Sequence, residues 1–162
     1  MTTNTLAEAI KLREAGQYEQ AHRILQALHT AAPDDPQVNF QLAWWHDAQG
    51  LENDAVPFYE KAIANGLKDE ERRGAMLGLG STYRCLGRYD DAVRILRDGM
   101  TEFPEAGEFP IFLAMALYNT GEHHEAMTML LKIILDTTTD ADILSYRKAI
   151  AFYHDKLDET WI

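Results

Sequence analysis

The sequence predicts an all-α fold, an α-solenoid of four helix–turn–helix units closed by a C-terminal capping helix. Three observations carry that prediction. Glycines stand at Gly16, Gly50, Gly87 and Gly121, at intervals of 34, 37 and 34 residues. An alanine follows five residues after each, at Ala21, Ala55, Ala92 and Ala126. Between these markers the apolar residues recur at the three- and four-residue spacing of an amphipathic helix. Glycine supplies the left-handed backbone of a tight interhelical turn, and the small alanine lets the second helix lie close against the first. Units of fixed period, each one helix pair, stack into a continuous core.

The first unit, about residues 2–35, opens at Thr5, a good N-cap residue, and places Leu6, Ala9, Ile10 and Leu12 on its first helix. Its second helix carries Ala21, Ile24, Leu25 and Leu28 and stops at Pro33, which cannot extend a helical hydrogen-bond ladder. Asp34 or Asp35 then caps the next helix, with Pro36 at its first position, where an absent N–H costs nothing. The second unit, about 36–69, runs over Gln37–Gln49, turns at Gly50 and continues over Asn53–Asn65 to a stop at Gly66. With Asn53 as cap, Pro57 falls within or just past the first turn, where it is a small loss. The third unit, about 70–106, absorbs three extra residues in its connection or in a longer helix reaching Leu86. Its second helix runs from Asp90 to about Thr101, and Gly99 is expected to loosen it by roughly 1 kcal/mol. The fourth, about 107–139, holds Pro110 in its first turn, bends at Gly121 and continues over Glu125–Leu135. A last helix, about 140–157, gathers Ile143, Tyr146, Ala149, Ile150, Tyr153 and Leu157 on one face, with a charged face outside, as a solenoid end requires. The expectation is nine helices in a single domain over 1–162.

A net charge of −11 argues against nucleic acid as a partner, because phosphate repels such a surface. Cys85 is the only cysteine, so no internal disulfide forms, and a reducing compartment is expected. The N-terminus lacks a basic start followed by an apolar stretch, and Met129–Leu135 is too short to span a membrane and is broken by Lys132. A cytoplasmic location without membrane contact follows as the expectation. His123 and His124, flanked by Glu122 and Glu125, have the composition of a metal patch. Neighbouring helix residues point in different directions, however, and a solvated turn is the better reading. His46 and Asp47 lack a nucleophile or oxyanion donor beside them in sequence, and no glycine loop follows a strand. No catalytic residue, metal or cofactor is expected. Gly74, Gly78 and Gly80, on one helix, read as places of close helix contact.

Leu79, Gly80, Tyr83, Gly87, Tyr89, Ala92, Leu96 and Pro104 in the third unit resemble the consensus of the tetratricopeptide repeat family almost completely. Leu42, Ala43, Gly50, Ala55, Tyr59 and Ala62 do so in the second, and Leu113, Ala114, Leu117, Gly121, Ala126 and Leu130 in the fourth. Ala9, Leu12, Gly16, Ala21, Leu25 and Pro33 make a weaker match in the first. The stretch from Ala55 to Ala92 is similar to a small stand-alone bacterial subgroup, a likeness that implies no defined activity. The resemblance implies a right-handed α-solenoid serving as a non-enzymatic protein-binding scaffold, with the first helix of each unit lining a concave groove. Departures are His46 for a usual tyrosine, Gly99 for a usual alanine and Thr138 for the final proline.

Carried over position by position, the resemblance places Thr3, Leu6, Ile10 and Arg13 in the groove from the first unit and Gln37, Phe40, Trp44 and Asp47 from the second. Gly74, Leu77, Ser81 and Arg84 come from the third, and Glu108, Ile111, Met115 and Tyr118 from the fourth. The strip is mostly apolar, suited to an amphipathic helix or extended peptide of a protein partner, or to a second copy in a homodimer. The family's lysine–asparagine–arginine clamp for a C-terminal carboxylate is not matched; its places hold Leu6, Ile10, Gln41, Gly74 and Gly78, or Phe40, Trp44, Gly78, Glu108 and Phe112. Trp44 is the expected anchor, while Trp45, about 100° further round the helix, is expected inside the stack.

Overall fold

The computed structural model describes residues 5–161, and every regular element among them is an α-helix. The chain divides into two compact units, Met1–Arg88 and Tyr89–Ile162, with the division between the two helices of the third predicted repeat.

The first unit contains α1 (Leu6–Glu14), α2 (Tyr18–Ala31), α3 (Pro36–Ala48), α4 (Glu52–Ala64) and α5 (Asp69–Cys85). Thr5 caps α1 by accepting from the Glu8 amide at 3.2 Å. Asp35 caps α3 by accepting from the Gln37 and Val38 amides at 2.9 and 3.0 Å, with Pro36 as the first helical residue. Gly16 and Gly50 turn the chain at φ of +74° and +71°. Ala21 and Ala55 behind them are fully buried, which is what permits close pairing of α1 with α2 and α3 with α4. One core cluster of the unit is Ala9, Ile24, Leu25, Val38 and Leu42, with Leu6, Leu12, Leu28 and Phe58 packed against it. The extra length of the third repeat goes into α5, which has 17 residues against 13 for α3.

One start differs from expectation. Leu51, not Asn53, stands at the N-cap of α4, so Pro57 is the sixth helical residue instead of a first-turn one. Its ring removes one ladder bond, and its exposed position leaves the freed carbonyl open to solvent.

The elbow between α2 and α3 is held by asparagine amides. Buried Asn39 donates to the carbonyls of Pro33 at 2.9 Å and Asp35 at 2.6 Å, and Asn65 donates to the Asp34 carbonyl at 2.8 Å. Lys61 pairs with the Asp34 carboxylate at 2.8 Å.

The second unit contains α6 (Tyr89–Glu102), α7 (Glu108–Thr120), α8 (His123–Thr137), α9 (Ala141–Ser145) and α10 (Arg147–Tyr153). Gly121 ends α7 at φ of +90°, and Pro110 is the third residue of that helix. Gly99 is not a loosening of α6. A Cβ there would lie 2.2 Å from Cε1 of Phe109, so the missing side chain makes room for a fully buried ring that stacks on Phe103 at 6.2 Å. The expected single terminal helix is two short ones, because Tyr146 leaves helical geometry at φ −102° and ψ 8°. The described residues therefore carry ten helices, not nine. Within α9 and α10 only Ile150 is partly buried, and the apolar face expected to close the array stays open.

Candidate functional site

In the first unit, side chains of α1, α3 and α5 meet on one face. Arg13 of α1 donates to the Gln41 side-chain carbonyl at 2.8 Å and holds its guanidinium 4.6 Å above the Trp44 ring. Gln37 of α3 donates to Glu71 of α5 at 2.7 Å. The Phe40 ring faces Gly74, where a Cβ would sit 3.2 Å from its Cζ. A Cβ on Gly78 would lie 2.6 Å from the Tyr59 hydroxyl, so this glycine, too, lets α5 approach an aromatic ring.

Asp47 is the polar centre of the face. Its carboxylate accepts from the Tyr59 hydroxyl at 3.2 Å and from the Thr82 hydroxyl at 3.1 Å; the latter is shared with the Gly78 carbonyl at 2.8 Å. Burial pushes the Asp47 carboxyl above the usual carboxylate range, outweighing the two hydroxyl donors, and Glu52 adds to the effect. Tyr59, buried beside that carboxylate, is held far above the ordinary phenol range. The face thus presents a half-buried anion whose lost hydration two neutral donors only partly replace.

The groove residues named from sequence fall as follows. Leu6 and Ile10 on α1, Phe40 and Trp44 on α3, and Leu77, Ser81 and Arg84 on α5 are all partly buried. Leu6 belongs in part to the core. The Arg84 Nε is buried without a hydrogen-bond partner. In the second unit Ile111 and Tyr118 on α7 are exposed, Tyr118 at 65%, and Met115 is partly buried. Thr3 lies outside the described residues. Two features escape sequence reasoning. One is Arg13, which already covers a face of the Trp44 ring; the cation and the ring come from different repeats, and no spacing rule links them.

The other feature is a histidine–aromatic block behind the face. Trp45, 8% exposed, stacks on His22 at 3.6 Å and donates its indole N–H to the Tyr18 carbonyl at 3.2 Å. His46 stacks on Phe58 at 5.2 Å, and His29 meets the same ring edge-on at 5.5 Å. Burial holds His22 and His46 below their ordinary 6.5, and His46 lowers His22 further. The imidazole of His46 thus occupies a packing position rather than an acid–base one.

His123 and His124 point apart, as adjacent helix residues must. His123 lies against Tyr118 at 4.8 Å, and His124 Nδ1 is 2.7 Å from an Asp158 carboxylate oxygen. Among the described residues no three or more His, Cys, Asp and Glu side chains gather as a metal cluster. No described helix is long and apolar enough to cross a membrane.

A family model described as Tetratrico peptide repeat matches residues 36–157. This chain belongs to the tetratricopeptide repeat family. Its fold is also that of solved tetratricopeptide structures. MamA aligns at TM-score 0.73 and 20% identity over 91% of this chain and 90% of its own. PilF of Pseudomonas aeruginosa aligns at 0.69 and 16%, over 97% and 76%. Cut9, in the APC/C Cut9–Hcn1 hetero-tetramer, aligns at 0.74 and 17% over 90% of this chain, which spans only 29% of the Cut9–Hcn1 chain matched. At such identities the likeness concerns fold alone. No curated protein matches the sequence. Tetratricopeptide arrays are protein-interaction scaffolds; α3 and α5 lie within the matched residues, and α1 precedes them.

Proposed function

We propose that this tetratricopeptide chain is a non-enzymatic binding module that grips a protein segment on the α1–α3–α5 face of its first unit. The observation that carries the reading is the pairing of a partly buried, Arg13-braced Trp44 ring with the under-hydrated Asp47 carboxylate one turn along the same helix. A segment with a basic side chain beside an apolar one answers both, the cation restoring to Asp47 what burial removed. Leu6, Ile10, Phe40, Leu77, Ser81 and Arg84 form the surrounding contact surface. Ile111, Met115 and Tyr118 give α7 a separate apolar strip for the same kind of contact. The solution of one neighbouring fold within a hetero-tetramer accords with such a role. A second reading, homodimer formation through an end helix, draws on the exposed apolar side chains Ile143 and Leu144 of α9 and Phe152 and Tyr153 of α10.

Selection of a random peptide library on the immobilised full chain tests the first reading. Peptides pairing Arg or Lys with an apolar residue should be enriched. Trp44→Ala should weaken the best of them by about 30-fold, equivalent to about 2 kcal/mol, and Asp47→Asn should remove the preference for a cation. Enrichment unaffected by either substitution refutes this site.

A further inference from the structure

The Asp47 carboxylate is held from its buried side only. Tyr59 of α4 donates to Oδ2 at 3.2 Å and Thr82 of α5 to Oδ1 at 3.1 Å, one donor to each oxygen. Both donors are buried, whereas Asp47 itself is partly exposed. The Thr82 hydrogen is also divided, since the same hydroxyl reaches the Gly78 carbonyl at 2.8 Å. Each carboxylate oxygen can accept about two hydrogen bonds. One acceptor position therefore stays open on each, toward the side that solvent reaches, on a group whose plane is fixed by hydroxyls from two different helices.

That pair of openings discriminates between cations. A guanidinium carries parallel N–H donors in a planar fork that meets both oxygens of a carboxylate at once, while an ammonium is a compact point charge. Depth adds to the difference. A half-buried acceptor strips water from whatever docks on it, and guanidinium is the more weakly hydrated of the two. The chain's own cation does not fill the place. Arg13 lies over the Trp44 ring at 4.6 Å, donates to Gln41 at 2.8 Å and pairs with Glu14 at 3.6 Å. Trp44 is three residues before Asp47, on the same side of α3, so an apolar contact stands next to the open carboxylate.

We propose that the cation gripped at Asp47 is an arginine of the partner segment, its guanidinium engaging Oδ1 and Oδ2 together, and that lysine is a poor substitute. The inference rests on the α1–α3–α5 grip proposed above and narrows its partner. Three pools of short peptides test it, fixed at the centre as Arg, Lys or Gln and random elsewhere without further Arg or Lys. The immobilised full chain should capture the Arg pool about tenfold or more over the Lys pool. Asp47→Asn should capture all three pools alike, with its circular dichroism unchanged. Asp47→Glu keeps the charge but carries it off the two hydroxyls; it should still favour Arg and Lys over Gln while losing the preference for Arg over Lys. Equal capture of the Arg and Lys pools by the wild type, or a preference for Lys, overturns the inference, as does an Arg preference that persists in either variant. The grip itself is read from the Gln pool. It stands if Arg and Lys are captured equally, both above Gln, and lose that advantage in Asp47→Asn; it falls, and the inference with it, if the wild type captures all three pools alike.

Discussion

Gly99→Ala sets helix propensity against packing. In an ordinary helix interior the change stabilises by about 1 kcal/mol, because alanine gives up less backbone freedom. Here the new Cβ would meet Cε1 of Phe109 at 2.2 Å and Cδ1 and Cζ at 2.6 Å each, against the roughly 3.5–4.0 Å of comfortable carbon contact. The ring has little room to retreat, being fully buried and backed by Phe103. Overpacking of this kind costs about 1–3 kcal/mol, and three ring atoms inside 3 Å place Gly99 at the upper end. The expected net effect is a loss of about 1–2 kcal/mol, or about 3–6 °C in Tm for a chain of this size. Thermal melts followed by far-ultraviolet circular dichroism measure it. Phe109→Leu supplies the control: in that background Gly99→Ala should become neutral or stabilising. A higher Tm for Gly99→Ala alone, or the same loss in both backgrounds, would refute the claim that the glycine exists to admit the ring.

The adjacent tryptophans should separate cleanly. Trp45→Ala removes a buried ring together with its His22 stack and its bond to Tyr18, and should cost about 3–5 kcal/mol in urea unfolding. Trp44→Ala loses a partly exposed cation–π contact and should cost about 1 kcal/mol or less; the reverse order would contradict the helix register. Stability should also fall as pH drops below 6.5. His22 and His46 are held under that value by burial, with Glu19 opposing the shift at His22 and Asp54 opposing it at His46, so the unfolded chain takes up protons first. Urea midpoints between pH 7.5 and 5.5 should decline for the wild type and flatten in a His22→Gln, His46→Gln variant; equal slopes would place the dependence elsewhere.

Much of this was legible because repeats convert local chemistry into architecture. Gly16, Gly50, Gly87 and Gly121 all adopt positive φ, and Ala21, Ala55 and Ala92 lose all exposure, as a turn and a close helix contact demand. The inward course of Trp45 followed from the groove register that the family resemblance implied for Trp44, together with the 100° step of a helix. What escaped depends on partners distant in sequence. Gly99 read as a weakness because its reason, Phe109, is on another helix. Arg13 over Trp44 and His22 against Trp45 join different repeats at no fixed spacing. The terminal segment has a helical pattern throughout, and nothing in its periodicity marks Tyr146 as the residue where the ladder stops.

The elbow between α2 and α3 has a mechanical consequence. Three successive carbonyls, those of Pro33, Asp34 and Asp35, are each claimed by an asparagine amide from α3 or just past α4. A connection whose acceptors are all occupied does not serve as a pivot, since bending it would break three bonds together. The first two repeats should therefore respond to load as one lever. The amide hydrogens of Ala32, Asp35, Gln37 and Val38, each bonded within the elbow or at its edges, should exchange with deuterium at the pace of α3, not that of a surface loop. Any change of curvature on gripping a partner then has to be taken up at other connections.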